Sequence, residues 1–271
     1  MYRSWTTTGM TIIENEITIN SAPLEREVIC TVFIPDETIH TEPFNLLLLN
    51  DGQESEGLEL KQTLQNLQEN NAIKPLIVVA LHAGKDRLQE YGVAGRPDFK
   101  KRGSKAGIYT QFIKNELMSA IAELFPDQVF ETTAYAGFSL GGLSALDIAW
   151  NNADLFNKAG VFSGSFWWRS KELGKGYTDA DRIAHAMIRE TENKPELKFW
   201  LQTGTLDETA DRNKNGIIDS IDDTIDLVKE LEAKGYTRPE DIRYVEMVGG
   251  SHNAETWAKA MPKFLVWAFG K

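Results

Sequence analysis

Cysteine, long apolar runs and positive charge are all scarce in this sequence of 271 residues. The one cysteine, Cys30, cannot form an intrachain disulfide, and its apolar surroundings at residues 28–33 predict a buried core thiol. Apolar runs such as 44–49 and 73–81 have the length of core strands, well short of the about 20 residues that span a bilayer. The sequence therefore predicts neither a disulfide framework nor a membrane-spanning helix.

Acidic residues outnumber basic residues by 40 to 29, so the formal net charge is −11. Nucleic-acid phosphates and anionic membrane surfaces attract basic proteins, and neither is an expected partner of this chain. Residues 1–8 lack the apolar core of a signal peptide, which predicts a cytoplasmic location unless such a peptide has been removed. The oligomeric state is not indicated.

Apolar runs alternate with helical patterns along most of the chain, and the length fits a single domain over residues 1–271. The predicted strands are 10–20, 27–35, 44–50, 73–81, 131–136, 158–162, 198–203 and 241–248, and the predicted helices are 57–70, 108–124, 140–150, 179–192, 223–234 and 254–269. This order predicts a mostly parallel sheet with antiparallel first strands and helices on both faces. Site residues are then expected just after the strands end.

The segment Gly137-Phe138-Ser139-Leu140-Gly141-Gly142 lies between an apolar run at 133–136 and a helical pattern. A Gly-x-Ser-x-Gly sequence by itself also fits a glycine-rich turn. The strand, turn and helix context favours a nucleophile elbow, in which Ser139 is exposed at the apex of a tight turn. The backbone N–H of Leu140, directly after the serine, is a candidate donor to an oxyanion.

A serine nucleophile needs a base, and the chain has four histidines. His252 lies in Gly249-Gly250-Ser251-His252-Asn253, between the last predicted strand and helix, where a hydrolase of this topology carries its base. His40 in a polar loop and His185 in a helix are expected to be structural. His82 follows the strand at 73–81 and is a candidate pocket residue.

The carboxylate that orients the base is expected after the strand at 198–203, where the sequence reads Gly204-Thr205-Leu206-Asp207-Glu208. Asp207 is the first acid past the strand and would hold the imidazole tautomer and stabilise the imidazolium. Glu208 is the close rival. The alternative for either residue is a solvated acid on the surface of an acidic protein.

Residues 211–222 follow the spacing of an EF-hand calcium loop, with glycine at position 6 and Asp in place of Glu at position 12. No helix clearly precedes the loop, and the alternative is an acidic surface turn before a capped helix. The candidate calcium ligands are Asp211, Asn213, Asn215, Ile217 through its carbonyl, Asp219 and Asp222. A bound ion there would stiffen the loop that carries Asp207.

Trp167 and Trp168 follow the end of a predicted strand. If both are exposed, they offer a flat apolar platform for a sugar or an aromatic acyl group. The alternative is core packing, which we expect for at least one of the two.

With these pieces assembled, the chain resembles the esterase D-like esterases of the α/β-hydrolase superfamily, which include enterochelin, feruloyl and acetyl-xylan esterases, S-formylglutathione hydrolase and mycolyltransferases. The resemblance extends from Glu27 to the C-terminus. It rests on Leu48-Leu49-Asn50-Asp51-Gly52-Gln53, the Ser139 elbow, Ser163-Gly164-Ser165-Phe166-Trp167-Trp168, Gly204-Thr205-Leu206-Asp207-Glu208, and Gly250-Ser251-His252-Asn253 with Glu255-Thr256-Trp257. The resemblance implies that the amide of Gln53 is the second oxyanion donor, and that Arg87, Glu90 and Tyr91 form a pocket edge.

The sequence therefore predicts an α/β-hydrolase that acts as a serine carboxylesterase on a small-molecule or carbohydrate ester, with no cofactor for catalysis. A thioesterase or acyltransferase of the same fold is an alternative that a large apolar acyl channel would favour. A non-catalytic carbohydrate-binding or scaffold protein is the alternative outside the enzymes. The acyl group and the alcohol stay open.

Overall fold

The computed structural model describes residues 11–36 and 43–271. The expectations about residues 1–8 and His40 lie outside the described residues. Within them, no helix is both long enough and apolar enough to cross a membrane.

One twisted sheet organises the described part of the chain. Its strands are β1 (Ile12–Ser21), β2 (Arg26–Pro35), β3 (Asn45–Asn50), β4 (Leu76–Leu81), β5 (Thr133–Phe138), β6 (Lys158–Phe162), β7 (Lys198–Leu206) and β8 (Ile242–Ser251). They lie in the order β1-β2-β4-β3-β5-β6-β7-β8. β2 is antiparallel to β1 and β4, and all the other pairs are parallel. The predicted fold class is confirmed.

Helices connect the parallel strands. They are α1 (Leu60–Glu69), α2 (Arg87–Glu90), α3 (Ala106–Gln111), which continues through a π-helical stretch (Phe112–Leu117) into α4 (Met118–Leu124), α5 (Leu140–Asn151), α6 (Ile183–Glu190), α7 (Asp219–Ala233) and α8 (Ala254–Phe269). Short 3₁₀ turns at Gly52–Glu54 and Asp179–Asp181 add to them.

The sheet buries an apolar layer on each face. On one face Leu146 of α5 and Phe199 of β7 belong to the larger cluster, and on the other Phe264 of α8 and Phe138 of β5 belong to the second. Strands β3, β4 and β5 are buried along their whole length, which explains why they appear in the sequence as continuous apolar runs. Removal of this apolar area from water holds the helices on the sheet.

Two strands extend beyond their predicted ends in a way that bears on the site. β7 continues to Leu206 and β8 to Ser251, although the apolar patterns stop at residues 203 and 248. Polar and glycine residues can extend a strand when a neighbouring strand supplies its hydrogen bonds, and here the two strands pair with each other. Both candidate acids and the candidate base therefore come directly after strand ends, as expected for a site at the carboxyl edge of the sheet.

Candidate active site

Ser139 lies at the apex of the turn from β5 to α5, with φ 54° and ψ −121°. A non-glycine residue in this backbone region is strained by about 1–3 kcal/mol. The Ser139 N–H donates to the carbonyl of Phe162 at 2.8 Å, which ties the turn to β6. A side chain on Gly137 would overlap the backbone of Gly141, so the turn closes because that position is glycine.

The Ser139 hydroxyl is half-buried, and its Oγ lies 3.4 Å from Oγ of Ser165. The Ser165 N–H donates to the Ser139 carbonyl at 3.1 Å, so the turn after β6 packs against the elbow. Leu140 is the first residue of α5, and the N–H groups of a first helical turn have no acceptor within the helix. This helix end carries partial positive charge close to the hydroxyl.

The loop after β3 holds Gln53, the other expected oxyanion donor. Asp51 has φ 62° and begins the short 3₁₀ turn. A side chain on Gly52 would overlap the carbonyl of Ala80, so the loop lies directly against β4. The Gln53 side chain accepts the N–H of Ala83 at 2.9 Å and donates to Asp51 Oδ1 at 3.3 Å. These bonds hold the loop from both sides.

A bidentate ion pair anchors the same loop. Nε and Nη2 of Arg87 each lie 2.7 Å from a carboxylate oxygen of Asp51. The Asp51 side chain is 4% exposed and that of Arg87 is 30% exposed, so the pair connects the loop interior to the rim of the site. A Cβ on Gly141 would lie 2.5 Å from Asp51 Oδ2, which shows that the loop touches the first turn of α5.

Asp207 directly follows β7, and its carboxylate is largely enclosed. Oδ2 accepts the Gly204 N–H at 3.0 Å, whereas Oδ1 is buried and no described residue hydrogen-bonds to it within ordinary limits. Burial raises the pKa of Asp207, and the Gly204 N–H, the Ser163 hydroxyl and the charge of His252 oppose that effect. The unpaired oxygen is therefore an acceptor that lacks its donor.

His252 directly follows β8. Partial burial lowers the pKa of His252, the nearby Asp207 carboxylate raises it, and the Arg87 guanidinium lowers it. Across residues 11–36 and 43–271, no hydrogen bond joins the ring to Ser139 or to Asp207. The structure thus brings the three groups to one edge of the sheet without a connected path for the proton. Catalytic hydrogen bonds commonly tighten only when substrate is bound.

Glu208, the rival acid, faces a different neighbour. Burial raises the pKa of Glu208, the backbone N–H of Ser220 lowers it, and the carboxylates of Asp219 and Asp223 raise it further. All three of these residues lie in the first turns of α7. Asp207 and Glu208 are adjacent in the sequence, but the side chain of Asp207 interacts with His252 and that of Glu208 with α7.

Two of the expected substrate-binding side chains are buried. Tyr91 is 1% exposed, and its hydroxyl accepts the Asp51 N–H at 3.4 Å. Trp168 is fully buried under the Arg102 guanidinium, 4.8 Å from the ring centroid. Both side chains are enclosed in this structure, and Gly92 and Gly103 lie against the Trp168 ring. For Trp168, core packing is what the structure shows.

The other three expected pocket residues stay partly accessible. The Trp167 ring is half-buried and lies 5.3 Å from the same Arg102 guanidinium. Arg87 is at the rim, as described above. His82 Nε2 lies 2.9 Å from the Thr31 hydroxyl, and its ring contacts the loop at Gly52. His82 therefore packs against the loop that carries Gln53.

His185 is buried in α6, and its Nε2 lies 2.8 Å from the carbonyl of Asp223. Burial lowers the pKa of His185 to about 3, and the Arg182 guanidinium acts in the same direction. This histidine stays neutral at physiological pH. The structure agrees with the structural role expected from the sequence.

Hydrogen bonds within residues 211–222 stabilise the expected calcium loop. Asp211 accepts the N–H groups of Asn215 and Gly216, and Asp222 accepts both side-chain amides of Asn213 and Asn215. The described residues include no group of three or more His, Cys, Asp or Glu side chains placed to hold a metal ion.

Of the remaining candidate ligands, Asp219 accepts the Arg212 N–H at 2.9 Å and lies 3.3 Å from its guanidinium. The expectation of structural calcium therefore finds no support in this arrangement.

A strained serine between a strand and a helix, at the carboxyl edge of this sheet, defines an α/β-hydrolase. The family model described as "Putative esterase" matches residues 21–268, and the chain belongs to that esterase family. No curated protein sequence matches the chain.

Solved structures with a similar fold include three esterases or hydrolases. The enterobactin esterase from Shigella flexneri has a TM-score of 0.71 and 20% identity over 95% of this chain and 59% of its own length. The siderophore hydrolase EstB from Aspergillus nidulans has a TM-score of 0.66 and 19% identity over 93% of both chains. A ferulic acid esterase from Anaeromyces mucronatus has a TM-score of 0.64 and 18% identity over 99% of this chain and 95% of its own. This chain spans about three-fifths of the enterobactin esterase, and such identities establish a shared fold.

Proposed function

We propose that the chain is a serine carboxylesterase with Ser139 as nucleophile, His252 as base and Asp207 as the orienting acid. Ser139 Oγ attacks the acyl carbon while its proton passes to His252. The backbone N–H groups of Gln53 and Leu140 hold the tetrahedral oxyanion. Collapse expels the alcohol, which takes the proton from His252 and leaves an acyl-enzyme. Water then gives a proton to His252 and attacks the acyl carbon. Collapse releases the acid, and His252 returns the proton to Ser139 Oγ.

The pairing of β7 with β8 is the observation that carries this proposal. Leu206 is opposite Ser251, so Asp207 and His252 are the next residues of two neighbouring strands. The electrostatic coupling of these two side chains supports Asp207 over Glu208 as the acid. The contact of the Asp51 loop with the first turn of α5 supports Gln53 and Leu140 as joint donors.

A fluorophosphonate probe combined with single substitutions tests the assignment. We expect the native protein to be labelled, and Ser139→Ala to abolish both labelling and ester hydrolysis. His252→Ala should cost several orders of magnitude in kcat. Ser220→Ala is the matched control, because the Ser220 hydroxyl is also buried but has no partner among the described residues. An unlabelled native protein that binds sugars would favour a non-catalytic binding role.

The substrate is proposed as a small-molecule or carbohydrate ester. The structural neighbours carry the names of enterobactin, siderophore and ferulic acid esterases, and these names support siderophore and ferulate esters as the first candidates to test. A panel of short p-nitrophenyl esters, feruloyl esters and acetylated sugars ranks these by kcat/KM. Thioesters and acyl-acceptor alcohols in the same panel test the thioesterase and acyltransferase alternatives.

Calcium is separable from this chemistry, which needs no metal ion. The spacing of residues 211–222 motivates a direct test, namely thermal denaturation with calcium and with excess chelator. An unchanged Tm would remove the calcium hypothesis and leave the esterase proposal intact.

A further inference from the structure

The segment Ser163-Gly164-Ser165 and the tryptophan of Glu255-Thr256-Trp257 have no role in the chemistry described so far. Both lie at the carboxyl edge of the sheet, Ser163 directly after β6 and Trp257 in the first turn of α8. Ser163 is 2% exposed and has φ 46°, and Trp257 is 9% exposed. Strained backbone is commonly found at functional sites, and this turn with its buried polar groups lies next to Ser139.

The two side chains are joined by a buried hydrogen bond. Nε1 of Trp257 donates to Oγ of Ser163 at 3.0 Å. An indole N–H is a donor and cannot accept, so the serine oxygen is the acceptor and its own hydroxyl proton is free to be donated elsewhere. Trp257 therefore makes Ser163 an acceptor on the indole side and leaves the Ser163 hydroxyl to donate on the other side.

The Ser163 hydroxyl acts on the nearby Asp207 carboxyl, whose pKa it lowers. Oδ1 of Asp207 is buried with no hydrogen-bond partner among the described residues, so it is the acceptor open to this proton. A carboxylate that accepts a hydroxyl proton is held in one orientation and favoured in its charged form. Ser163 thus favours the charged form of the carboxyl that interacts with His252.

Trp257 also contacts His252, the proposed base that partners Asp207. The ring of Trp257 packs edge-on against the ring of His252, with 5.2 Å between centroids and 79° between planes. Stacking on Phe138 at 5.0 Å fixes the indole itself. One rigid side chain therefore contacts His252 directly and donates to the serine whose hydroxyl lowers the pKa of Asp207.

We propose that Trp257 and Ser163 are positioning residues that hold the acid and the base in register, an inference that rests on the function proposed above. They touch neither substrate nor oxyanion. Their effect is to keep Asp207 ionised and aimed at His252 while the imidazole takes up and returns a proton.

Kinetics across pH with p-nitrophenyl acetate test the proposal through Ser163→Ala and Trp257→Phe. Ser163→Ala is expected to lower kcat about tenfold or more and to leave KM within about twofold, because a hydrogen bond to a charged group is lost away from the substrate. The Asp207 carboxylate, with one donor fewer, binds the imidazolium more strongly, so the acid limb of the kcat/KM profile should move to higher pH. Trp257→Phe keeps the ring contact and should show a smaller loss of kcat.

Matched controls separate positioning from packing. Trp200 and Ser220 carry buried groups, Nε1 and Oγ, that have no hydrogen-bond partner among the described residues. Trp200→Phe and Ser220→Ala should therefore keep the native kcat and acid limb. If Ser163→Ala does not fold, Trp257→Phe decides the question by the same readouts.

The outcomes for the positioning role and for the esterase are distinct. Suppose that Ser163→Ala and Trp257→Phe both keep the native kcat and the native acid limb, while Ser139→Ala is inactive. This result would overturn the positioning role and leave the esterase function intact. Full activity of Ser139→Ala would instead overturn the function on which this inference rests.

Discussion

Leu206 of β7 is paired with Ser251 of β8, although two residues earlier Gly204 is paired with Met247. Two steps along β7 therefore correspond to four along β8, and the extra residues of β8 bulge out. Gly249, with φ 73°, lies in this bulge, and its N–H donates to the Thr205 hydroxyl at 2.8 Å. The bulge brings Ser251, and with it the next residue, to the end of β7.

Gly204 should tolerate no side chain. A Cβ there would overlap the carbonyl of Gly250 and lie 2.8 Å from Asp207 Oδ1. We expect Gly204→Ala to lose about 1–3 kcal/mol of unfolding free energy and most of its activity, because β8 and the acid must both move. Gly107→Ala is the control, since its Cβ meets nothing within 4 Å. Urea denaturation and ester hydrolysis measure both effects, and a fully active Gly204→Ala would contradict the close approach.

Replacement of Ser139 by glycine should make the folded protein more stable. Its φ of 54° suits glycine, so Ser139→Gly relieves backbone strain and should stabilise the fold by about 1 kcal/mol after the entropic cost of glycine. Ser139→Ala keeps the strain and should unfold at the native urea concentration. Both variants are expected to be inactive. A Ser139→Gly protein less stable than Ser139→Ala would show that the elbow is unstrained.

The ion pair of Arg87 and Asp51 should matter more than a surface pair. Arg87→Gln leaves a buried carboxylate without its bidentate partner, and we expect a loss of about 1–3 kcal/mol with a lower kcat, because the loop of Gln53 is released. Lys105 and Asp86 form a matched exposed pair, and Lys105→Gln should change stability much less than Arg87→Gln. Equal effects of the two substitutions would refute the anchoring role.

The acid limb of the activity profile should lie below the ordinary histidine value of 6.5. The proposed mechanism needs neutral His252, and burial and the Arg87 guanidinium both lower the pKa of that ring. Activity should therefore rise with pH through a midpoint below 6.5. Asp207→Asn removes the one charge that raises the pKa, so its midpoint should fall further while kcat drops. A midpoint above 6.5 in the native protein would contradict this environment.

Asp147 on α5 should make stability depend on pH. Burial raises the pKa of Asp147 to about 7 from an ordinary 3.8, although Ala94 N–H and Asn151 donate to it. Between these values the folded protein binds the extra proton, so this stabilisation is complete below about pH 4 and is lost as the pH rises to about 7. Asp147→Asn should remove that dependence, and urea denaturation from pH 4 to pH 8 measures the difference. Parallel curves for the two proteins would refute the shift.

The sequence predicted the sheet, its antiparallel start and the serine elbow, because apolar runs and glycines report local structure directly. It could not separate Asp207 from Glu208, since neighbouring residues share one local pattern and the pairing of β7 with β8 decides which one faces the histidine. Nor could it assign Tyr91 and Trp168 to the interior. Their burial depends on contacts between distant segments, such as Gly103 against Trp168 and Tyr109 against Tyr91, and no local periodicity encodes that.

β8 is both an outer strand of the sheet and the last strand of the chain. During synthesis the ribosome releases Ser139 more than a hundred residues before His252, and the strand that carries the base can dock only after the others have emerged. A nascent chain therefore holds Ser139, the proposed nucleophile, without His252, its proposed base, until β8 has emerged. On the proposed function, hydrolysis begins only once β8 has joined the sheet.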